Sequence, residues 1–290
     1  MKSITKNIII IFILILLFLK RPFIISSTIE SFEIWKSSIF PSIFPIMIIS
    51  DFIISTNLIT IISNILGPIF KKIFKVSKYA SYVFIMSMIS GTPSNAKYIN
   101  DLYLNKVIDK EEVIKILSMT LLYNPLLIIT ITPYLNFNDR IYLIISNICA
   151  NIIIGTFNRN VKTKDCNIRL DKKNFNLVNS ISNGINTLLL ILGALITFNI
   201  LNNILPIKHP LITGALEITN GFILINHSFL LYKYKFIFTA ILLSFGGLSI
   251  ITQIKSIFKD TNLDYSLFYK SRVIHLLLMI LFSYLKFIFL

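Results

Sequence analysis

Long apolar runs separated by short polar loops occupy almost the whole sequence. The apolar runs lie at residues 39–66, 79–96, 116–135, 141–157, 177–201, 209–231, 236–254 and 273–290. The loops at 67–78, 97–115, 158–174 and 255–272 are basic or of mixed charge. Several runs reach the roughly 20 residues that a helix needs to cross a bilayer. The pattern predicts an all-α polytopic membrane protein with about seven to nine membrane segments, forming a single membrane domain over residues 1–290.

The N-terminus has a basic start and an apolar run from Asn7 to Leu19, as a signal peptide would. Lys20, Arg21 and Pro22 follow the run, with no small-residue cleavage site. We therefore expect a retained first membrane helix over residues 7–25.

Two of the apolar runs contain residues that interrupt helices. The run at 79–96 ends in Ser-Gly-Thr-Pro-Ser-Asn-Ala-Lys, from Ser90 to Lys97, and the run at 236–254 contains Ser-Phe-Gly-Gly-Leu-Ser, from Ser244 to Ser249. Irregular backbone at membrane depth is tolerated only where it is buried in protein or lines a cavity. The sequence thus predicts two re-entrant or broken helices that contribute to a binding site.

The two interruptions occur in similar contexts. Each is preceded by a Pro-x-x-x-Pro pair, then by an acid within an apolar run (Asp51 or Glu217), then by a lysine-bearing turn. This predicts a loose internal repeat with a first half at 39–157 and a second half at 177–290, although proline pairs also recur by chance. Interrupted segments in both halves of a repeat indicate a transporter site.

Helix N-termini at the interruptions would offer backbone N–H groups, Lys97 a positive charge, and the polar side chains hydrogen bonds. The predicted substrate-binding residues are Ser90, Gly91, Thr92, Ser94, Asn95, Lys97, Asn124, Gly246, Gly247, Ser249 and Gln253. Asp51 and Glu217 are predicted to couple transport to a proton or cation, since a carboxylate at mid-membrane costs about 2.5–3.5 kcal/mol. The alternatives are interfacial or lysine-paired acids, a snorkelling Lys97, and a simple kink at Asn124.

Composition and charge narrow the function. Hydrophobic residues make up 55% of the chain, charged residues 14%, and mean hydropathy is +0.78, whereas a soluble domain has about a quarter charged residues. The 28 Lys and Arg lie between apolar runs, as topogenic charges do, so the net charge of +15 does not indicate nucleic acid. Neither the two Cys nor the three His have ligand spacing, so no metal or cofactor is predicted. No HExxH or GxSxG motif occurs, so neither catalytic residues nor an enzyme is predicted.

The distribution of basic residues allows two topologies. In the first, the runs at 79–96 and 236–254 are hairpins, and loops 67–78, 97–115, 158–174, 233–235 and 255–272 all face the cytosol, which fits the positive-inside rule. In the second, the runs at 39–66 and 209–231 are the hairpins, and loop 67–78 lies outside.

Five stretches in sequence order resemble one known family. They are Phe40–Ser55, Met88–Tyr103, Asn124–Thr130, Ala215–Gly221 and Ser244–Gln253. They are similar to the sporulation integral membrane protein YlbJ family, whose membrane unit is the nucleoside-recognition Gate domain. Two positions depart from the family pattern: Asn95 replaces a glycine, and Ile251 stands where a histidine is expected.

The resemblance implies a transporter of a small organic anion, with dipicolinate as the candidate, in a multi-pass cell-membrane protein or in the membrane around the forespore. Two alternatives are a nucleoside or nucleobase permease of the Gate type, and a non-transporting membrane factor for spore assembly. The expected partners are the lipid bilayer and the organic anion or nucleoside, without nucleic acid. A homo-oligomer is left open.

Overall fold

The computed structural model describes residues 19–56, 58–163, 175–205 and 208–289. Residues 7–18 of the predicted first membrane helix lie outside the described residues, as does Pro206 of the predicted repeat. The described part of the chain is all helical, without strands, in agreement with the predicted all-α class.

The first half contains nine helices within the described residues. They are α1 (Arg21–Ile34), α2 (Phe40–Ser55), α3 (Leu58–Ile65), α4 (Gly67–Phe74), α5 (Ala80–Ser90), α6 (Ser94–Leu104), α7 (Lys110–Met119), α8 (Pro125–Ile131) and α9 (Phe137–Phe157). A π-helical turn, Trp35–Ile39, joins α1 to α2, and a 3-10 turn, Asn158–Asn160, follows α9. Asp109 caps α7 by accepting a hydrogen bond of 2.7 Å from the Glu112 N–H.

The second half continues with six helices over its described residues. They are α10 (Leu177–Ile204), α11 (Pro210–Leu216), α12 (Ile218–His227), α13 (Tyr232–Phe245), α14 (Gly247–Ile257) and α15 (Ser266–Phe289). Helix α10 packs against α1 and α2, whereas α15 packs against α7, α9 and α13. The main core therefore lies among α5 to α9 and α12 to α15, with a smaller cluster between α2 and α10.

Five helical stretches in the described residues are long and apolar enough to cross a membrane. They are Arg21–Ile53, Phe137–Asn160, Leu177–Ile204, Tyr232–Ile257 and Ser266–Phe289. Large apolar side chains on these helices are exposed, among them Leu189, Leu190 and Leu277. A surface of this kind is stable against hydrocarbon, so the chain is a multi-pass membrane protein.

Two kinds of helix interruption occur. In the pairs α5–α6 and α11–α12, a short link lets the second helix pack back on the first; the rings of Tyr82 and Tyr98, for example, lie 6.2 Å apart. In α7–α8 and α13–α14, non-helical residues separate two consecutive helices, at 120–124 and at Gly246. The order of helix pair, interrupted helix and long helix therefore occurs twice. Gly91 lies in a pair and Gly246 in an interrupted helix, so the two glycine motifs that the sequence suggested as equivalent occupy different positions.

Contacts at the two ends of α9 test both predicted topologies. Near its end, the buried Lys115 ammonium donates to the backbone carbonyls of Lys75, Arg159 and Val161. At its start, Asp139 accepts a hydrogen bond from the Tyr232 hydroxyl. The 21 residues of α9 separate these ends by about 32 Å.

Both predicted topologies are therefore wrong in one half. The first is wrong because loop 233–235 lies at the end opposite to loop 67–78. The second topology places loop 67–78 outside and the loop after α9 in the cytosol. It is wrong because loop 67–78 lies at the same end as residues 159–161. The positive-inside rule placed loop 233–235 on the wrong side because Lys233 and Lys235 are not only topogenic charges. Their ammonium groups lie over the rings of Phe287 and Tyr134 and so contribute to packing.

Candidate functional site

The link of the first helix pair is fixed against the interruption between α7 and α8. Gly91 has φ +74°, and a Cβ atom at this position would lie 2.4 Å from the Asn124 backbone nitrogen, so only glycine fits. Thr92 donates to the Leu122 carbonyl from both its N–H, at 2.8 Å, and its hydroxyl, at 2.9 Å. A cis peptide bond joins Thr92 to Pro93. The carbonyl that the helix break exposes at Leu122 is thereby satisfied.

A second contact between these segments comes from the start of α6. The Asn95 side-chain amide donates to the Thr120 carbonyl at 2.9 Å and to its hydroxyl at 3.3 Å. Asn124 caps α8 by accepting from the Leu126 N–H at 2.8 Å. These predicted substrate-binding residues thus hold the two interruptions of the first half together.

The link of the second helix pair is the single residue Glu217. Its backbone is extended, and its carboxylate caps α12 by accepting from the Thr219 N–H at 3.2 Å and the Thr219 hydroxyl at 2.9 Å. The Ser249 hydroxyl lies near this carboxyl group. Gln253 in turn donates to the Ser249 hydroxyl at 3.1 Å. Glu217, Ser249 and Gln253 therefore form one polar chain.

The interruption at Gly246 contacts both halves. Gly246 and Gly247 have φ +83° and +77°. A Cβ atom on Gly247 would lie 3.2 Å from the Gly214 carbonyl oxygen, and one on Gly246 would lie 2.8 Å from the Tyr123 hydroxyl. Since Gly91 also abuts residues 123 and 124, both glycine motifs lie against one segment, residues 120–124.

A small cavity of about 60 Å³ lies where the interruptions meet. Its polar lining residues are Thr92, Tyr123, Glu217, Thr219 and Gln253, and its apolar ones are Ile39, Ile43, Pro93, Leu127, Ile131, Ile191, Leu195, Ile218, Phe222 and Ile250. We call it the central cavity. It is smaller than the several hundred Å³ typical of small-molecule sites, so this conformation is nearly closed. Glu217 is the only carboxylate among these described lining residues.

Asp51 and Lys97 lie in a different pocket. Their carboxylate oxygen and ammonium nitrogen are 2.9 Å apart, with side-chain exposures of 16% and 14%. The pocket, of about 280 Å³, is lined by Asp51, Ser55, Lys97, Asp101, Asn105, Phe175, Asn176, Asn179, Ser180 and Asn183. We call it the polar vestibule. Lys97 follows Ser94 by about one helical turn, so the ion pair lies between the vestibule and the first link.

The thirteen predicted residues therefore divide into four groups. Thr92, Gln253 and Glu217 line the central cavity, and Ser249 accepts a hydrogen bond from Gln253. Gly91, Gly246, Gly247, Asn95 and Asn124 shape the interruptions around it. Ser90 bonds to the Met86 carbonyl within α5, and the buried Ser94 hydroxyl has no hydrogen-bond partner among the described residues. Lys97 and Asp51 form an ion pair in the polar vestibule, away from the other predicted residues.

Sequence reasoning missed Tyr123 and Arg272. Arg272 is buried, donates to the carbonyl of Ser118 near the end of α7, and forms no ion pair among the described residues. A cation at a helix C-terminus is favoured by the helix dipole. The sequence could have indicated Arg272, because this charged residue directly precedes the apolar run at 273–290. Tyr123 had only the following Asn-Pro as a signal.

These features define a class: a multi-pass helical membrane protein in which two sets of interrupted helices enclose a small, partly polar cavity. Residues 37–157 match the family model described as Gate: Nucleoside recognition, which covers α2 to α9. The chain is also similar to the sporulation integral membrane protein YlbJ of Bacillus subtilis (strain 168). The two are 23% identical, over 83% of this chain and 72% of that protein. No solved structure matches the chain. The resemblance that the sequence indicated is confirmed.

Proposed function

We propose that this protein is a secondary transporter, not a catalyst, that moves a small organic solute across a membrane during sporulation. The observation that carries this proposal is the central cavity, where Thr92, Tyr123 and Glu217 come together from both halves of the chain. Interrupted helices that converge from two repeats form the substrate site in many transporters. The sporulation role rests on the similarity to YlbJ.

The proposed arrangement in the bilayer has two re-entrant hairpins, α5–α6 and α11–α12, that enter from opposite sides. Between them α7–α8, α9 and α10 cross the membrane, and this odd number of crossings inverts the second half relative to the first. With α1–α2, α13–α14 and α15, the described residues contribute about eight of the predicted seven to nine segments. Loops 67–78 and 255–272 and residues 158–163 then share the cytosolic side, as the positive-inside rule requires.

The residues that line the central cavity would suit a flat heteroaromatic ring once the cavity enlarges. Tyr123 and Phe222 with aliphatic side chains provide apolar walls, and Thr92 and Gln253 provide hydrogen-bonding groups. Such a ring is common to dipicolinate and to the nucleobases. The charge of Glu217 separates the two substrates, because an ionised carboxylate repels an organic dianion.

We therefore propose that dipicolinate is the substrate, that it is carried together with protons, and that Glu217 is the group that takes up a proton. The neutral carboxyl would donate to a substrate carboxylate, whereas the ionised form would exclude the anion and let the cavity close. Asp51 and Lys97 would form a neutral pair on the cytosolic approach. The protein would act in the membrane that surrounds the forespore.

Uptake into proteoliposomes tests this proposal. Purified protein should accumulate labelled dipicolinate when the outside is acidic, and an imposed pH gradient should drive accumulation against the concentration gradient. Spores of a deletion strain should lack dipicolinate, and a fluorescent fusion should label the forespore boundary. Dipicolinate-replete deletion spores together with no uptake at any pH would overturn the proposal.

One observation favours a nucleoside permease as the second candidate. The Gate match carries the description of nucleoside recognition, and an ionised Glu217 would accept hydrogen bonds from a neutral nucleoside. Labelled nucleosides offered to the same proteoliposomes distinguish the two. Uptake of nucleosides that excess dipicolinate does not inhibit would establish the second candidate.

A further inference from the structure

A pocket of about 360 Å³ lies at the end of the bundle where α4 and α9 finish. It is lined by Lys71, Lys75, Val76, Arg159, Asn160, Val161, Lys162 and Thr163. We call it the basic pocket. Four of these eight described residues are cationic and none is acidic. The three ion pairs in the described part of the chain involve none of them.

A buried lysine holds the backbone of the basic pocket in place. Lys115, only 1% exposed, donates to the carbonyls of Lys75 at 2.9 Å, Arg159 at 3.1 Å and Val161 at 3.2 Å. Lys75 also donates to the Asn160 side chain at 3.1 Å. The cations are therefore held together although like charges repel.

Apolar side chains surround this pocket on the membrane-facing side. Ile69 and Ile73 on α4 and Phe157 on α9 are exposed. Arg159 and Asn160 end the candidate span Phe137–Asn160, so the pocket lies at the level where lipid headgroups meet the hydrocarbon. A ligand there can place a phosphate among the cations and its chains against the apolar side chains.

We infer that the basic pocket binds the headgroup of an anionic phospholipid. Basic pockets at the cytosolic ends of membrane helices attract such headgroups by charge. The phosphate is the recognised group, and the adjacent apolar surface selects the lipid over free phosphate. Neither the central cavity nor the polar vestibule takes part, so this inference is independent of the transported solute.

The test uses full-length protein, stripped of lipid in a neutral detergent, and measures its melting temperature during titration. Dioctanoyl phosphatidylglycerol should raise the melting temperature at low concentration. Dioctanoyl phosphatidylcholine, with the same chains and no net charge, should require at least about tenfold more. Glycerol 3-phosphate and inorganic phosphate should have little effect.

Variants show whether the pocket is responsible. Lys71→Gln, Arg159→Gln and Lys162→Gln together should weaken the phosphatidylglycerol effect at least about tenfold. The matched control, Lys110→Gln, Lys259→Gln and Lys270→Gln, removes the same charge from exposed positions elsewhere and should leave the effect intact. Lys75→Asn, which suits the left-handed backbone at φ 52°, should weaken binding without loss of folding.

Four outcomes would overturn the inference. They are equal effects of phosphatidylcholine and phosphatidylglycerol, an equal effect of phosphate alone, equal loss in the control variant, and native mass spectra in which the unaltered protein retains no phosphatidylglycerol. The last measurement decides the matter if the triple variant does not fold.

Discussion

Asp51 and Glu217 both interrupt apolar sequence, but their surroundings in the fold are opposite. Asp51 faces Lys97 across 2.9 Å at the edge of the polar vestibule, where both side chains are partly exposed. Glu217 is buried at the link between α11 and α12, and its hydrogen-bond donors are the hydroxyl and the N–H of Thr219, with the Ser249 hydroxyl nearby. No ion pair involves Glu217 in the described part of the chain.

The sequence alone predicted the same coupling role for both acids, whereas their surroundings indicate two different roles. A carboxylate and an ammonium that form an ion pair together contribute a neutral unit to their surroundings. A buried carboxyl whose partners are neutral changes the charge of its cavity whenever it gains or loses a proton. We therefore expect proton coupling to depend on Glu217, and access to the site to depend on Asp51.

The largest effect is expected from Glu217→Gln, which keeps the shape and fixes the group as neutral. Dipicolinate accumulation driven by a pH gradient should fall at least about tenfold, because no proton can be released. Exchange of internal for external dipicolinate without a gradient should persist. The matched Asp51→Asn variant, at equal protein level, should keep its pH dependence. Loss of pH dependence in the Asp51 variant alone would reverse the assignment.

A smaller effect is expected from breaking the vestibule pair. Lys97→Gln leaves the Asp51 carboxylate without its partner and should slow uptake several-fold, with an unchanged pH profile. Removing both charges, with Asp51→Asn and Lys97→Gln together, should restore part of the rate, because no unpaired charge remains. Initial uptake rates of the two single variants and the double variant give the coupling directly. Additive losses would show that the ion pair is not the functional unit.

Changes in the polar chain next to Glu217 should be weaker again. Ser249→Ala removes the hydroxyl beside the carboxyl group and the hydrogen bond that it accepts from Gln253; a bond of this kind typically contributes about 1 kcal/mol, so transport should change about fivefold. Its effect should disappear in the Glu217→Gln background if the serine acts through the acid. Ser55→Ala, in the vestibule lining, provides the control and should change nothing measurable. An undiminished effect of Ser249→Ala in that background would show direct contact with the substrate.

Ionic strength gives the smallest effect and addresses the vestibule pair. Partly exposed charges are screened by salt, so raising the salt concentration from about 0.05 to 0.5 M should change uptake by less than about twofold. This salt dependence of uptake should disappear in the double variant at Asp51 and Lys97. A strong salt dependence that survives in that variant would place the relevant charges elsewhere.

The sequence identified two of the four interruptions correctly, because Gly91 and Gly246 are local signals for helix breaks. The interruption at 120–124 had no glycine; it is stabilised by hydrogen bonds from Thr92 and Asn95, which no local pattern reveals. The same holds for Asp51 and Lys97, which are 46 residues apart in the chain. Their pairing depends on how α2 packs near α6, so spacing alone could not predict it.

The segment at residues 120–124 also has a consequence for how the protein is made. Its bonds to Thr92 and Asn95 all lie within residues 37–157, so that portion can close its own helix break before later residues emerge from the ribosome. The loop at Gly246 instead requires the finished Tyr123 surface as its support. We therefore expect assembly to have a direction, in which the earlier half folds first and the central cavity forms when the later half packs against it.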